Sequence, residues 1–305
     1  MFFAGIDIGG TTVKSTIMNE NGRIVYQSTI GSVKGDPDQL AANIAAGLSG
    51  FRSPITAAGL SCAGKVNRET RLITATNLKW LEVPFEEIME NALQCPVTAD
   101  TDVAGALYAE SRVGACVGEK YVAYVSLGTG IGGAFLVDGK PFRGYNNTGG
   151  EVGHMITHAG GKPCPCGGKG CFEQYASSSS MTRRAGVPVR EIFRQVRAGN
   201  PDMIALLDDY VQELCIGLAG IVHVFFPHMV VLGGGIGSAG EILVSRVRTV
   251  METNCPSLPH SPMPMFVSAQ LGNLAGSVGG CFLAGDMVGV PIHVEDMEAL
   301  LRARA

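Results

Sequence analysis

The sequence predicts an α/β protein with two lobes and a metal-binding loop. Two stretches, residues 2–29 and 121–144, share one order of elements: an apolar strand, a glycine-rich turn, a second strand, a hairpin turn and a third strand. Helical patterns fill the intervals. A duplicated unit followed each time by helices predicts two related lobes that face each other across a cleft. A glycine-rich loop at residues 149–174 adds three cysteines.

The two stretches resemble each other in detail. The first reads FFAGI, then the turn DIGGTT, then a hairpin at Asn21-Gly22, which is a strong two-residue hairpin signal. The second reads YVAYVSL, then GTGIGG, then a hairpin at Asp138-Gly139. Two unrelated hairpins are the simpler alternative, since hairpins are common. Both copies place the glycine turn directly after the first strand, which favours duplication.

Helices are predicted from four-residue apolar spacings, from prolines that open helices and from alanine-rich stretches. They follow Pro37 and cover 84–93, 102–110, 201–226, 241–253, 274–287 and 294–304, and another starts at Ser177–Ser180. Residues 229–237, MVVLGGGIG, read as an apolar strand ending in a glycine turn. We expect residues 1–117, joined by a C-terminal helix over 292–305, to form a small lobe, and residues 118–291 to form a large lobe with the cysteine loop.

Length and composition indicate a globular protein. The chain has 305 residues, enough for two lobes of ordinary size, with 46% hydrophobic and 16% charged residues. A net charge of −4 argues against nucleic acid or an anionic membrane as the main partner. The most apolar stretch, residues 214–226, is too short to span a membrane and is interrupted by His223.

The cysteines and the start of the sequence predict the compartment. The nine cysteines are an odd number, and six of them occur singly, unlike a secreted disulfide framework. The opening residues MFFAGIDIGG contain neither a basic region nor a long apolar run with a cleavage site. We therefore expect a cytoplasmic protein with reduced thiols.

The cysteine loop predicts a structural zinc site. Cys164, Cys166 and Cys171 follow a C-x-C-x₄-C spacing, and His154 precedes them. Three thiolates and one imidazole complete the closed tetrahedral shell of a structural Zn²⁺. The alternative is a disulfide between surface cysteines, which the expected reducing compartment disfavours.

Three glycine turns predict nucleotide binding. Each directly follows an apolar strand, so its backbone N–H groups can approach phosphate oxygens. Asp7 ends the first strand, where its carboxylate can hold Mg²⁺ or a water bound to it. Alone, each turn would be read as an ordinary turn, and none matches the P-loop or the dinucleotide fingerprint. The predicted nucleotide-binding residues are Asp7, Gly9, Gly10, Thr11, Thr12, Lys14, Gly128, Thr129, Gly130, Gly234 and Gly235.

Taken together, DIGGTT, LGTGIGG, GEVGH, CPCGGKGCFE and VVLGGGIG, in this order and spacing, resemble a sugar kinase of the ROK family (repressor, open reading frame, kinase). The resemblance covers nearly the whole chain. It implies an actin-like (ribonuclease H-like) ATPase fold in two lobes, and transfer of the γ-phosphoryl group of MgATP to the 6-hydroxyl of a hexose. Glucose is the first candidate, with N-acetylmannosamine, fructose and allose as alternatives. Kinases of the family are often homodimers.

The resemblance also implies the catalytic residue. The family's aspartate starts a helix in an Asn-Asp-x-x-x-Ala stretch, which Asp102 matches in TDVAGA, with Asp100 as the alternative. Such a carboxylate accepts the proton of the sugar hydroxyl as the phosphoryl group moves in line. A purely structural alternative for Asp102 is a helix N-cap.

The sugar-binding residues implied are Glu151, His154 and Glu173, with Gly64, Asn77 and Thr101 as further candidates. Zinc on one nitrogen of His154 would direct the other toward a sugar hydroxyl. His158 is the alternative metal ligand. Thr101 replaces the family's usual asparagine and puts the identity of the hexose in doubt, and Ala63 replaces a usual proline.

Two other functions are weighed against a kinase. Regulators of the family carry an N-terminal helix-turn-helix segment and often lack the phosphate-loop residues. We expect no such segment here, and Asp7, Thr11 and Thr12 are present. A zinc-binding interaction module would leave the three glycine turns unexplained.

Overall fold

The computed structural model describes residues 1–254 and 262–294, and the chain in it divides into two compact units. Unit 1 contains Met1–Val117, the short segment Arg143–Gly149 and, after the second unit, residues 273–294. Unit 2 contains Gly118–Phe142 and the described part of Gly150–Gly272. Segment 143–149 thus belongs to unit 1 although the residues on either side belong to unit 2.

Unit 1 is built on a five-stranded sheet with a smaller sheet of three strands. Its strands are β1 (Phe2–Ile8), β2 (Thr12–Asn19), β3 (Ile24–Gly31), β4 (Ala57–Cys62), β5 (Lys65–Asn67), β6 (Leu72–Ala75), β7 (Trp80–Val83) and β8 (Val97–Thr101). The large sheet has the order β3-β2-β1-β4-β8, in which β1, β4 and β8 are parallel and β2 and β3 are antiparallel to their neighbours. The small sheet, β5-β6-β7, was not predicted.

The helices of unit 1 are α1 (Pro37–Leu48), α2 (Phe85–Leu93), α3 (Asp102–Val113) and, late in the chain, α10 (Ala275–Met287). Helix α1 starts where Pro37 fixes the first turn and the Asp36 side chain accepts from the Gln39 N–H at 2.9 Å. Helix α10 packs on β1 and β4 through glycines: a Cβ at Gly59 would lie 2.1 Å from the Gly280 carbonyl oxygen. Backbone therefore packs directly against backbone there.

Unit 2 repeats the strand order of unit 1. Its strands are β9 (Val122–Leu127), β10 (Ile131–Val137), β11 (Lys140–Phe142), β12 (Met229–Gly233) and β13 (Met265–Ser268). They form the order β11-β10-β9-β12-β13, again with three antiparallel strands followed by two parallel additions. The predicted duplication of a strand–glycine turn–strand unit is confirmed.

The helices of unit 2 surround a large apolar core. They are α4 (Glu173–Ala176), α5 (Ser178–Ala185), α6 (Val189–Arg197), α7 (Pro201–Phe225), α8 (Gly234–Gly237) and α9 (Glu241–Asn254). Helix α7 starts where the Asn200 side chain caps Asp202 and Met203, and it buries one face from Leu207 to Val222. Within residues 1–254 and 262–294, none of the helices combines the length and the apolar composition that a membrane span requires.

The predicted helices from Pro37 to 287 are confirmed, with boundaries that differ by a few residues. The predicted start at Ser177 is also confirmed, because Ser177 caps α5 by accepting from the Ser180 N–H at 3.2 Å. Residues 292–294 are not helical, and the remainder of the predicted last helix lies outside the described residues.

Candidate functional site

In unit 1, the candidate catalytic carboxylates lie at the carboxyl ends of parallel strands. Asp7 on β1 pairs in register with Ser61 on β4, and Ser61 pairs with Asp100 on β8. Asp102 directly follows β8 as the first residue of α3. Ligands of open parallel sheets bind at this edge. The topology therefore brings Asp7 and Asp102 to the edge where substrates are expected.

The charges of both carboxylates act on one buried thiol, that of Cys62. Cys62, at the end of β4, is fully buried, and burial raises its pKa well above the usual range. The negative charges of Asp102 and Asp7 raise the pKa of the Cys62 thiol further. Both carboxylates therefore lie within electrostatic range of one buried thiol, which sequence reasoning did not single out.

Asp7 combines burial with a cationic neighbour. Burial raises the pKa of its carboxyl group from the ordinary 3.8 to about 6, and the charge of Lys14 acts in the opposite direction. Lys14 is the cross-strand partner of Asp7 on β2. At neutral pH Asp7 is a carboxylate, the hard oxygen ligand that Mg²⁺ prefers. The residues at this position fit the predicted metal.

The DIGGTT turn is tight and exposes its threonines. The Gly9 N–H donates to the Thr12 carbonyl oxygen at 3.0 Å, so this donor is used inside the turn. Thr11 and Thr12 are both exposed. A Cβ at Gly10 would lie 3.1 Å from Nδ2 of Asn77, so the Asn77 amide packs against the bare backbone of the turn.

Close backbone packing explains why position 64 is a glycine. Its N–H donates to the Cys62 carbonyl oxygen at 2.8 Å, and a Cβ would lie 2.6 Å from the carbonyl oxygen of Thr74. Only glycine fits between the end of β4 and strand β6 without displacing backbone.

The N-cap of α3 is Thr101, not Asp102. The Thr101 hydroxyl oxygen accepts from the Ala104 N–H at 3.1 Å, while Asp102 Oδ1 accepts from the Val103 N–H at 2.9 Å. The alternative that Asp102 is the cap is therefore wrong. Because a hydroxyl donates as well as accepts, Thr101 retains its O–H to donate to a ligand.

In unit 2, the predicted metal ligands come together. One potential ligand atom from each of His154, Cys164, Cys166 and Cys171 lies within 4.8 Å of the others. Isolated β-bridges between Ile156 and Cys171 and between Pro163 and Lys169 fold the loop back on itself. His158 is not in this cluster. Its Nε2 lies 3.4 Å from Oε2 of Glu213, and its ring stacks on Tyr175.

The sulfur geometry fits a tetrahedral ion. The thiols of Cys164, Cys166 and Cys171 are free, and the last two sulfurs are 3.6 Å apart, too far for a disulfide. Zn–S bonds of about 2.3 Å in tetrahedral geometry separate two sulfurs by about 3.8 Å. The disulfide alternative is wrong, and the donor set suits a structural zinc.

The thiols differ in acidity. Burial raises the pKa of Cys164 to about 12 and also raises that of Cys171. The backbone N–H of Gly168 lowers the pKa of Cys166. A metal must displace protons from the two more basic thiols, so its binding tightens as the pH rises.

His154 lies beside Cys164 and two carboxylates, and the Cys164 thiol itself donates to Oε1 of Glu173 at 3.3 Å. Its Nδ1 lies 3.8 Å from Sγ of Cys164 and 4.0 Å from Oε1 of Glu173. Its Nε2 lies 4.0 Å from Oε2 of Glu151. Nδ1 is therefore the nitrogen on the cysteine side, and Nε2 points toward Glu151.

The glycine turns of unit 2 lie side by side. Gly233, the last residue of β12, pairs with Ser126 on β9, and a Cβ at Gly234 would lie 2.7 Å from the backbone of Leu127. The Gly128 N–H donates to the Gly130 carbonyl oxygen at 3.0 Å. Thr129 and Gly235 are exposed, and a Cβ added at Gly235 would meet no atom within 4 Å.

Sequence reasoning missed three polar contributors. Gln174 Nε2 approaches Sγ of Cys164 at 3.6 Å, and its place directly after Glu173 was the available signal. Arg143 and Asn147 donate to Asp100, two residues before Asp102. The only sequence signal for them was the asparagine- and glycine-rich run that precedes Glu151.

Comparison with known proteins agrees with these motifs. The ROK family model matches residues 3–287. The glucokinase of Streptomyces coelicolor is 31% identical over 307 residues, covering 92% of this chain and 96% of that protein. The glucokinase of Halalkalibacterium halodurans is 30% identical over 313 residues, covering 92% and 94%.

A solved structure agrees as well. The ROK family glucokinase from Streptomyces griseus, crystallised in complex with glucose and AMPPNP, superposes with a TM-score of 0.85 at 27% identity. The match covers 94% of this chain and 100% of that one. Because the family model matches nearly the whole length of this chain, the chain belongs to the ROK family.

Proposed function

We propose that this protein is an ATP-dependent hexose kinase that phosphorylates the 6-hydroxyl of glucose. The observation that carries the proposal is that Asp102, the first residue of α3, directly follows β8 at the sheet edge where Asp7 also lies. The glucokinases among its relatives support glucose as the hexose.

In the proposed reaction, Asp102 is the general base. Its carboxylate accepts the proton of the 6-hydroxyl while the hydroxyl oxygen bonds to the γ-phosphorus. The bond from that phosphorus to the bridging oxygen breaks, and ADP leaves with the electron pair. The substitution Asp102→Asn removes the proton acceptor and keeps the shape of the side chain.

Asp7 and the glycine turns are proposed to hold MgATP. Asp7 would hold Mg²⁺ or its bound water, and Mg²⁺, when bound, neutralises charge on the phosphates. Thr11 and Thr12, exposed in the first turn, can donate hydroxyl protons to phosphate oxygens.

Glu151, His154 and Glu173 are proposed to bind the sugar. Both carboxylates lie 4.0 Å from a nitrogen of His154, so the three side chains form one polar group. Carboxylates accept from sugar hydroxyls, and the imidazole can donate through Nε2. Zinc bound by His154, Cys164, Cys166 and Cys171 would fix the direction of the ring.

A coupled ADP-release assay tests the proposal. Purified protein is given MgATP and, in turn, glucose, mannose, fructose, allose, N-acetylglucosamine and N-acetylmannosamine. We expect the highest kcat/KM with glucose. Preference for another hexose would support the alternative substrate, and sugar binding without turnover would support the alternative of a sugar-sensing regulator.

The variant Asp102→Asn sharpens this assay. We expect kcat to fall by at least about 10³-fold, within the range of lost general-base catalysis, while glucose still binds in calorimetry. An active Asp102→Asn enzyme would contradict the assignment of the base.

A further inference from the structure

We propose that Asp100 is a positioning residue of the sugar site, holding in place the chain segments around Asp102. The inference rests on the proposed kinase function and adds a residue to it. Asp100 lies next to the last residue of β8, and it is only 4% exposed. A carboxylate this deeply buried is retained only where hydrogen bonds and opposite charges compensate its lost hydration.

Four donors surround the Asp100 carboxylate. Oδ2 accepts from Nη1 of Arg143 and, at 3.4 Å, from Nη1 of Arg68. Oδ1 accepts from Nδ2 of Asn147 at 3.1 Å and from the Thr101 N–H at 2.9 Å. Because both oxygens are occupied by protein donors, Asp100 is poorly suited to take a proton from a substrate. The same contacts suit it to hold other groups in place.

The donors come from three separate parts of the chain in unit 1. Arg68 lies in the turn between β5 and β6, and this hairpin is flanked in sequence by Gly64 and Asn77. Arg143 and Asn147 lie in segment 143–149. Thr101 caps α3 and is followed by Asp102. One buried carboxylate therefore joins the three parts of unit 1 that carry or flank the candidate sugar residues.

Two residues of segment 143–149, Arg143 and Asn147, bind Asp100 and also each other. Asn146 and Asn147 have φ values of 51° and 59°, in the left-handed region, which costs free energy for residues other than glycine. Asn147 Oδ1 accepts from Arg143 at 3.0 Å, and its Nδ2 also donates to the Val66 carbonyl oxygen on β5 at 3.0 Å. The segment has almost no regular structure besides one short 3₁₀ turn at Tyr145–Asn147. In the sequence, Glu151 follows shortly after it.

Charge balance predicts what removal of Asp100 would do. Two guanidinium groups, of Arg143 and Arg68, share this one carboxylate. The substitution Asp100→Asn keeps the size of the side chain but leaves both cations without their anion. The amide NH₂ group of the asparagine would also face a protein N–H donor where a carboxylate oxygen now accepts. The cations are then expected to turn toward water and release segment 143–149 and the β5–β6 hairpin.

The test compares Asp100→Asn with Asp286→Asn, a control at a more exposed ion-paired carboxylate of unit 1. Asp286 on α10 also accepts from an arginine, Arg112 at 2.8 Å, and from the Tyr108 hydroxyl. Both variants remove one ion-paired carboxylate from unit 1, and their melting curves measure the general loss of stability, which is expected to be larger for the buried Asp100. Only Asp100→Asn should change the sugar site.

We expect Asp100→Asn to raise the KM for glucose by about tenfold or more while the KM for ATP changes less than about twofold. Asp286→Asn should leave both constants near those of the wild type. Asp100→Glu, which keeps the charge, should recover part of the loss. In a double-mutant cycle, Arg143→Gln should add little to Asp100→Asn, because the two residues act as one pair.

Three results would overturn the proposal. In Asp100→Asn, these are an unchanged glucose KM or equal increases in the KM values for glucose and ATP. In Asp286→Asn, it is a rise in the glucose KM that exceeds the rise in the ATP KM as it does in Asp100→Asn. Calorimetric titration with glucose, without ATP, repeats the comparison independently of turnover. A wild type that binds glucose but does not phosphorylate it would refute the kinase and leave the Asp100 test intact. A wild type that binds none of the six sugars would contradict both.

Discussion

A Cβ atom added at Gly130 would lie 2.5 Å from Oε2 of Glu173. Gly130 belongs to the glycine turn after β9, whereas Glu173 opens α4 beside the cysteine cluster. The turn that the sequence places among phosphate-binding residues therefore also abuts a proposed sugar-binding carboxylate. A side chain at Gly130 must displace the Glu173 carboxylate.

Gly130→Ala is expected to weaken sugar binding. Displacement of the Glu173 carboxylate should raise the glucose KM by about tenfold, and overpacking should cost about 1 kcal/mol of unfolding free energy. The matched control is Gly128→Ala, in the same turn, where the nearest atom to the added methyl is the Gly130 carbonyl oxygen at 3.9 Å. Steady-state kinetics with both substrates would decide. Equal glucose KM values in the two variants would contradict the role of the Glu173 contact.

Asp7→Asn is expected to stabilise the fold and abolish activity. Because burial raises the pKa of Asp7 from 3.8 to about 6, the charged carboxylate destabilises the folded state. Its contribution to stability is most favourable below pH 3.8 and is lost as the pH rises through about 6. Above that pH, the shift corresponds to about 3 kcal/mol that the neutral amide avoids.

Urea denaturation without added Mg²⁺ measures this effect. The free energy of unfolding of Asp7→Asn should exceed that of the wild type at pH 8, and the difference should shrink toward pH 5. A variant that is less stable than the wild type at pH 8, or a difference that does not depend on pH, would argue against desolvation of Asp7 as the cause.

Cys166→Ser is expected to lower zinc content and sugar affinity together. Outer-shell changes alone cost about 10–100-fold in metal affinity, so loss of a ligand should cost more than about 100-fold. Zinc is measured by elemental analysis and sugar affinity by calorimetry. Cys95→Ala, at a buried cysteine of unit 1 outside the cluster, is the control and should retain zinc. Normal glucose binding in a zinc-free Cys166→Ser protein would separate the metal from the sugar site.

Gly59→Ala is expected to destabilise unit 1 severely. The added methyl would lie 2.1 Å from the Gly280 carbonyl oxygen, and neither β4 nor α10 can yield without moving backbone. We expect a loss of about 3 kcal/mol or more, seen as a lower urea midpoint. Gly31→Ala is the control, since no atom lies within 4 Å of its added methyl, and its effect should stay within about 0.5 kcal/mol.

Local sequence patterns predicted those parts of the fold that depend on residues close together in the sequence. The duplicated strand–turn–strand unit and the long helices follow from apolar periodicity and turn residues, which act over a few positions. The small sheet β5-β6-β7 was missed because its strands are only three or four residues long. The N-cap of α3 is Thr101, one residue before the Asp102 considered from the sequence. Threonine and aspartate are both good caps, and only backbone geometry chooses between them.

Contacts between distant residues could not be read from the sequence. The cysteine spacing and His154 predicted the metal cluster, because the ligand types and their spacing carry the chemistry. The bonds from Arg143 and Asn147 to Asp100 depend on how segment 143–149 packs against β8, and no local pattern encodes that packing. The contact of Gly130 with Glu173 is of the same kind.

The two ring nitrogens of His154 serve different neighbours, with Nδ1 on the side of Cys164 and Nε2 on the side of Glu151. If a metal on Nδ1 fixes the ring and a sugar hydroxyl accepts from Nε2, each ligand prepares the imidazole for the other. Thermodynamic reciprocity then requires that glucose tighten zinc binding by the factor by which zinc tightens glucose binding. Substrate supply would thereby protect the protein against loss of its metal to chelators.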